Sequence, residues 1–506
     1  MRRLWIIGMM FCLTLVASAA RVKTHRMSDG TVLHFTRSAS LTRSSDPITK
    51  WDAGKVYKVP VILVSFADRD FSTLELQGEE PQTFYDRLFN QPGFNKRHGA
   101  GCVADYFRDQ SGGLCNFQFD VVGPVKVEKG CKKYGSYGTS AFEAAVKATD
   151  LNYADYDWDG DGSVEAVIFL YAGYGGNETA DKADGCIIPS SYNFGVTVGK
   201  MRLSQYSASA ELWSNDASCG IGTICHEFSH VLGLPDMYPY PTGYDDTLSM
   251  LDEWDLMDGG NFADDGWCPP NYSIHEREYV GWQSPIDLTK TTTVTGMKAL
   301  GEGGEGYRIL NDGCPTEYYL LENRQHVVWD YMLPGHGLLI THVDFVRREW
   351  KDNTVNTLYS DTDHRHLSYF YADGNDFVEY EKLLEDVGQY NSDGRSNYLQ
   401  HTAYPYKDGK GIVYDALTDE TSPKATLFNA NTDGSYLMHK PIKDICEENG
   451  LISFRFYESV EAGVTAPETT EQPVAYYDLQ GRKVTQPERG IYVVRYSNGT
   501  TKKMMR

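Results

Sequence analysis

"CHEFSHVLGLPDMY", Cys225 to Tyr238, sets two histidines four residues apart with a glutamate directly after the first. On a helix, positions i and i+4 share one face, so His226 and His230 point both imidazoles at a single ion. Glu227 then lies beside the open coordination position, where a carboxylate can take a proton from water. Zinc lowers the pKa of a water it binds from about 15.7 to about 7, so the base has a modest task. Gly233 comes three residues after His230 and has the conformational freedom to end the helix and turn the chain back. The turn delivers Asp236, with Pro235 stiffening the approach, as a third zinc ligand from the other side of the ion. A helix whose histidines bind nothing is the plain alternative. The added glycine and aspartate weigh against it, because each solves a separate geometric problem of the site. Glu253 as third ligand is another layout, and it leaves Gly233 and Asp236 without a reason. Cys225 sits about 100° around the helix from His226 and reads as buried or disulfide-bonded.

Downstream, "EWDLMDGG" places Met257 in a tight turn bracketed by Asp and Gly, where its thioether is expected to form an apolar floor beneath the ion. Upstream, "DYDWDGDGSVE" alternates Asp155, Asp157, Asp159 and Asp161, putting hard oxygen ligands at every second position as calcium loops do. A register starting at Asp157 puts Gly162 at the turn and Glu165 at the ninth position. One starting at Asp155 puts Gly160 at the turn. Neither has a glutamate at position twelve and a strand follows, so this is not a full EF-hand. The expectation is a structural calcium site at Asp157, Asp159, Asp161 and Glu165, against the plain alternative of a solvated acidic turn. "GHGLLITHVDF" offers His336, His342 and Asp344 at mixed spacings, which read as strand and loop polar groups rather than a second metal site. Trp213 reads as core or as a wall of the substrate cleft, and Tyr272 or Tyr238 is the candidate donor to a transition-state oxyanion.

Around these motifs, "KVPVILVSFADRDF" and "EAVIFLYAGYGG" are buried-strand signals, and "VADYFRDQSGG" has helical spacing closed by paired glycines. Together they imply an α/β or α+β catalytic half reaching about Ser284. Beyond Pro285 the texture turns to Thr, Val, Tyr and Gly with short apolar runs, a β-rich half. "EAGVTAPETTEQP", Glu461 to Pro473, is a linker that cannot bury a core. It precedes a short tail expected to form two or three strands.

With 506 residues, of which 41% are hydrophobic, the chain has material for two or three domains. A net charge of −23 and a pI near 5.0 argue against nucleic acid as a partner, which needs clustered Lys and Arg. "MRRLWIIGMMFCLTLVASAA" has two arginines, an apolar run and a small-residue cleavage site, the pattern of a secretory signal. Its run is too short for a membrane span, and no later segment is long enough. Apart from Cys12 in that run, nine cysteines remain, at 102, 115, 131, 186, 219, 225, 268, 314 and 446. An exported chain meets oxidising conditions, so several are expected to pair, with at least one left over.

The chain resembles secreted metallopeptidases of the immune inhibitor A family, of metzincin type. "HEFSHVLGLPDMY" and "WDLMDGG" carry the likeness most specifically. "YDWDGDGSVEAVIFLYAGYGG", "EYYLLENRQ", "LPGHGLLITHVD" and "PIKDICEENGLISF" extend it from about Val59 to Phe456. The resemblance implies an extracellular zinc endopeptidase with zinc at His226, His230 and Asp236 and Glu227 as base. Asp236 stands where many metzincins have a third histidine. "YYDLQGRKV" and "GIYVVRYSNGTTKKM" resemble the end of surface-sorting tails in Bacteroidetes exported proteins; a small accessory β module is the equal alternative. The expected fold is an α+β zincin-type catalytic domain followed by a β-rich domain and a short β tail. Its divisions are a signal peptide at 1–19, an N-terminal segment and candidate prosegment at 20–55, the catalytic domain at 56–284, the β-rich domain at 285–458, a linker at 459–473 and the tail at 474–506. The expected function is a secreted or cell-surface zinc endopeptidase acting on protein or peptide substrates through a zinc-bound water. The competing function is a calcium-dependent surface-binding protein with an inactive zinc site.

Overall fold

The structure is a computed structural model that describes residues 22–36, 46–240, 242, 249, 251–374, 398–460, 473–477, 482–485, 491–496 and 501–505. The signal-like segment 1–19 and nearly all of the linker lie outside the described residues.

Strand Val56–Ser65 organises the first half, because its residues alternate between two cores, as the two-residue period of a strand requires. Val59, Val61 and Leu63 enter one apolar cluster, which also holds Ile224, Phe228 and Val231 of the histidine-bearing helix. Ile62, Val64 and Phe66 enter the other, with Phe142 and Val146 of helix Thr139–Lys147. The sheet is therefore covered on both faces, which explains why its central strand Val167–Tyr174 is buried at every position.

Strand order runs Asn116–Lys126, Val56–Ser65, Val167–Tyr174, Met201–Leu212, Ser163–Val164, all paired in parallel. Ser190–Val198 adds an antiparallel hairpin partner to Met201–Leu212. The result is a mixed α/β layer.

The β-rich half holds a five-stranded sheet, ordered Leu367–Tyr369, Gly337–Asp344, Glu317–Arg324, Tyr307–Leu310, Ile286–Asp287. A three-stranded sheet of Thr292–Met297, Leu451–Phe456 and Ile442–Glu448 packs with it. The first apolar core does not stop near residue 285: Leu320, Leu339, Trp350 and Leu367 share it with Val61 and Phe228. A fully buried guanidinium reinforces the join. Arg324 donates to both oxygens of Asp330 (2.7 and 2.8 Å) and to Glu322 (3.0 Å), while Asn271 N and Ile274 N donate to those two carboxylates at 2.9 and 2.6 Å. Removing one partner would leave an uncompensated charge in the interior, at a cost of about 3–5 kcal/mol.

In the N-terminal segment, Met27, Leu33 and Phe35 of the hairpin Val22–Arg26/Val32–Thr36 enter the second core. Trp51 is wedged among Tyr57, Phe117, Trp158 and Trp282 and donates to Val280 O at 2.8 Å. The described tail residues form four short antiparallel strands rather than two or three, since both Ile491–Tyr496 and Thr501–Met505 are strands.

Of the cysteines expected to pair, Cys131 and Cys186 lie against each other. All nine cysteines from Cys102 to Cys446 are free, and seven are buried, behaving as small apolar side chains. Trp213 is core, its indole N–H donating to Asp265 O and its ring set edge-on to Phe35.

Candidate metal centre

Helix Gly222–Leu232 is buried along its whole length, so its polar side chains need a purpose or a partner. It ends in a Schellman turn: Gly233 N donates to His230 O (3.0 Å) and Leu234 N to Ser229 O (3.1 Å). Gly233 has φ 109°, and a Cβ there would meet Pro47 Cα at 2.5 Å, so both conformation and space demand glycine. Chain reversal then carries Asp236 back toward the helix.

Both imidazoles are anchored through Nδ1. His226 Nδ1 lies 2.9 Å from Leu256 O and His230 Nδ1 lies 2.7 Å from Leu234 O. A carbonyl oxygen only accepts, so each Nδ1 carries the proton and each Nε2 offers a lone pair. The two Nε2 atoms are 3.2 Å apart, and Asp236 Oδ1 is 3.2 and 3.3 Å from them. Ligands about 2.0–2.1 Å from a tetrahedral zinc would be separated by roughly 3.3 Å, so the three atoms fit this ion. Among the described residues Asp236 Oδ1 has no hydrogen-bond partner, which suits an atom reserved for a cation.

The other oxygen of Asp236 is held from two sides. Tyr240 OH donates to Oδ2, and Asn353 Nδ2 donates to it at 2.7 Å. Asn353 Oδ1 in turn accepts from Asp236 N at 2.5 Å. Sequence reasoning found neither residue. Tyr240 had only its nearness as a signal, and Asn353 lies 117 residues away with none.

Glu227 neighbours this triad. It is 6% exposed, its Oε2 has no hydrogen-bond partner among the described residues, and burial pushes its carboxyl up to about 8. Met257 is fully buried; its carbonyl accepts from Met237 N (2.9 Å) and its N–H donates to Asp255 Oδ1 (2.8 Å). The turn thereby fixes Leu256 O, which orients His226. Cys225, on this helix, is buried in the core.

Other expected site residues fare differently. Asp157, Asp159 and Glu165 converge, each offering an oxygen within 4.8 Å of the others. Asp161 does not join them: its Oδ1 accepts from Ser163 N at 2.7 Å, closing a local turn instead. Tyr272 is fully buried, bonded to Ser229 and stacked on Trp282, so its hydroxyl is committed inside the core rather than offered to a substrate. Tyr238 packs edge-on against Tyr240. His336 pairs with Glu447 and His342 with Glu317, while Asp344 turns to two other histidines.

Residues 190–283 match the family model of the Immune inhibitor A peptidase M6 catalytic domain. This segment is similar to the catalytic domain of immune inhibitor A peptidases. The matched segment contains the whole triad, Glu227 and Met257. Over 274 residues the chain is 25% identical to Immune inhibitor A of Bacillus thuringiensis subsp. alesti, covering 44% of this chain and 39% of the relative. Over 257 residues it is 23% identical to Pre-pro-metalloprotease PrtV of Vibrio cholerae serotype O1 (strain ATCC 39315 / El Tor Inaba N16961), covering 41% of this chain and 27% of the relative. The alignments thus span well under half the length of these curated relatives. Among the described residues, no helix of this immune inhibitor A-like chain is long and apolar enough to cross a membrane.

Proposed function

We propose that the protein is a secreted or cell-surface zinc endopeptidase of metzincin type, hydrolysing protein or peptide substrates with Glu227 as general base. The observation that carries this is the convergence of two Nε2 lone pairs and Asp236 Oδ1, all acceptors, within 3.3 Å of one another beside Glu227, whose Oε2 has no hydrogen-bond partner among the described residues. Three acceptors facing one point repel each other unless a cation lies between them. Zinc held by His226, His230 and Asp236 would polarise the scissile carbonyl and acidify water at the open position. Glu227 takes a proton from the attacking water as the carbon–oxygen bond forms. It returns that proton to the amine nitrogen as the carbon–nitrogen bond breaks, which regenerates the carboxylate. Tyr240 and Asn353 hold Asp236 so that Oδ1, not Oδ2, faces the histidines.

The same proposal includes export through the segment 1–19 and a structural calcium ion at Asp157, Asp159 and Glu165. Burial, with the like charges of Asp159 and Asp157 adding to it, pushes the Glu165 carboxyl up to about 7, a tension that a divalent cation relieves. Domain limits at 56–284 and 285–458, and a sorting or accessory role for 474–506, belong to this proposal as well.

The test is casein hydrolysis by the purified protein, its Glu227→Ala variant and a chelator-treated sample. Activity should fall by about 10²–10⁴-fold in the variant, with zinc content unchanged. A wild type that holds zinc yet cleaves neither casein nor a peptide library would sink the proposal in favour of a calcium-dependent surface-binding protein.

A further inference from the structure

A second cluster of metal-ligating side chains lies in the β-rich half, apart from the helix Gly222–Leu232. Asp344 ends strand Gly337–Asp344, and its partner strand Leu367–Tyr369 is preceded directly by "DHRH", Asp363 to His366. His364 and His366 stand two residues apart there, with their rings 4.7 Å from each other. His364 Nε2 is 2.8 Å from Asp344 Oδ2, and His366 Nδ1 is 3.5 Å from the same oxygen and 3.0 Å from the Asp344 carbonyl. One ring nitrogen of each histidine and a carboxylate oxygen all lie within 4.8 Å of each other.

We propose that Asp344, His364 and His366 form a second site for a divalent transition-metal ion, with zinc the best match to two imidazoles and one carboxylate. Four observations beyond the grouping support it. First, the imidazole rings of His364 and His366 are 4.7 Å apart and flank the one carboxylate of Asp344, two nitrogen donors and one oxygen donor of the kind zinc takes. Second, the parts are held from behind as ligands usually are. Asn429 Nδ2 donates to the other Asp344 oxygen at 3.1 Å, and the His364 ring lies on Phe428 at 3.9 Å with planes 20° apart. Third, Asp344 and His366 are mostly buried while His364 is about a third exposed, so the cluster is anchored yet reachable from solvent. Fourth, a cavity of about 350 Å³ lined by His364, Asp363 and Phe428 leaves room for the water or extra ligand that completes the shell.

The position gives such an ion structural leverage on the catalytic centre. His366 N donates to Val355 O (3.3 Å) and Leu367 N to Asn356 Oδ1 (3.0 Å), while Asn356 Nδ2 donates to Met237 O (2.8 Å). Loop Asn353–Thr357 is thus gripped on one side by the histidine segment and on the other by the segment carrying Asp236. A bound ion would stiffen the far bank of that loop.

The experiment is zinc stoichiometry, read by plasma emission after dialysis against zinc in excess calcium, on the full chain. Samples are wild type, a His364→Ala/His366→Ala double variant, and His230→Ala, which weakens only the first triad. Circular dichroism confirms that each is folded, and Asp344→Asn, which keeps the shape, replaces the double variant should that fail to fold. The double variant is expected to hold one zinc per chain fewer than wild type. His230→Ala should keep the ion that the double variant loses. Cobalt in place of zinc should show visible ligand-field bands in His230→Ala that vanish when His364→Ala is added. Equal zinc content in wild type and the double variant would overturn the site and leave Asp344 as a plain hydrogen-bonded partner of the two histidines. The outcome is separable from the peptidase proposal. A chain that loses zinc only through His364 and His366 supports this site while sinking the first, and the reverse pattern does the opposite.

Discussion

Two histidine–aspartate triads sit in one chain, and they are built by opposite means. His226, His230 and Asp236 come from a single helix and the turn that ends it, are buried, and meet at nearly equal distances of 3.2–3.3 Å. Asp344 comes from the end of one strand and His364 and His366 from the stretch just before its partner strand Leu367–Tyr369, and they meet unevenly at 2.8 and 3.5 Å, with one imidazole facing solvent. The first geometry is set by helix pitch and one glycine, the second by the register between strands. Local periodicity builds a tight, pre-organised site, whereas register leaves a looser one in which a side chain must settle when an ion arrives.

The sharpest way to break this contrast is at the turn. Gly233→Ala forces a left-handed φ on a residue with a Cβ and drives that atom into Pro47, at a combined cost of roughly 2–5 kcal/mol. Thermal unfolding should show that loss together with weakened zinc retention. If Tm and zinc content both stay unchanged, the glycine turn is not what shapes the first triad.

Asn353→Ala tests whether the helix-built site is as self-sufficient as its local origin suggests. Loss of the donor to Asp236 Oδ2 should weaken zinc binding by about 10–100-fold, measured by competition with a chromophoric chelator, while Tm in the zinc-free form moves much less. An unchanged affinity would confine the site to the 226–236 segment.

The smallest effect is expected at Glu317, in the strand-built half. Its carboxylate accepts from Phe428 N (2.6 Å), Asn429 N (3.0 Å), Asn311 Nδ2 (2.9 Å) and His342. Burial would raise this group, but those donors together, His342 first, hold it below its usual 4.5. A depressed carboxyl contributes stability that is present above 4.5 and is lost as pH falls through the lower native value. Glu317→Gln should therefore cost about 1 kcal/mol at neutral pH, and its difference from wild type should shrink in acid. A gap that stays constant down the acid limb would show that shape, not charge, is what the position supplies.

How much of this was legible in the sequence follows the same division. His226, Glu227, His230, Gly233 and Asp236 announce themselves because helix geometry converts spacing into direction. The strands at Val56–Ser65 and Val167–Tyr174 are readable for the same reason, as apolar runs of strand length. Asn353 and Tyr240 were invisible, since a hydrogen bond across 117 residues leaves no periodic trace. His342 and Asp344 drew notice as neighbours, yet they face different partners. Strand register sends His342 to Glu317 and Asp344 to His364 and His366, and no spacing rule fixes register at a distance. The cysteines were the least legible, because an oxidising compartment says nothing about which thiols meet: Cys131 and Cys186 lie side by side, 55 residues apart, with no spacing signal.

The clasp between Asn353 and Asp236 also imposes an order in time. A ribosome adding about 5–20 residues per second makes the amide that steadies the acid ligand roughly 6–23 seconds after the ligand itself, across the 117 residues between them. Until then the growing peptide has its histidine helix but not the finished cradle. Whatever the triad does, it waits on residues made long after the triad itself.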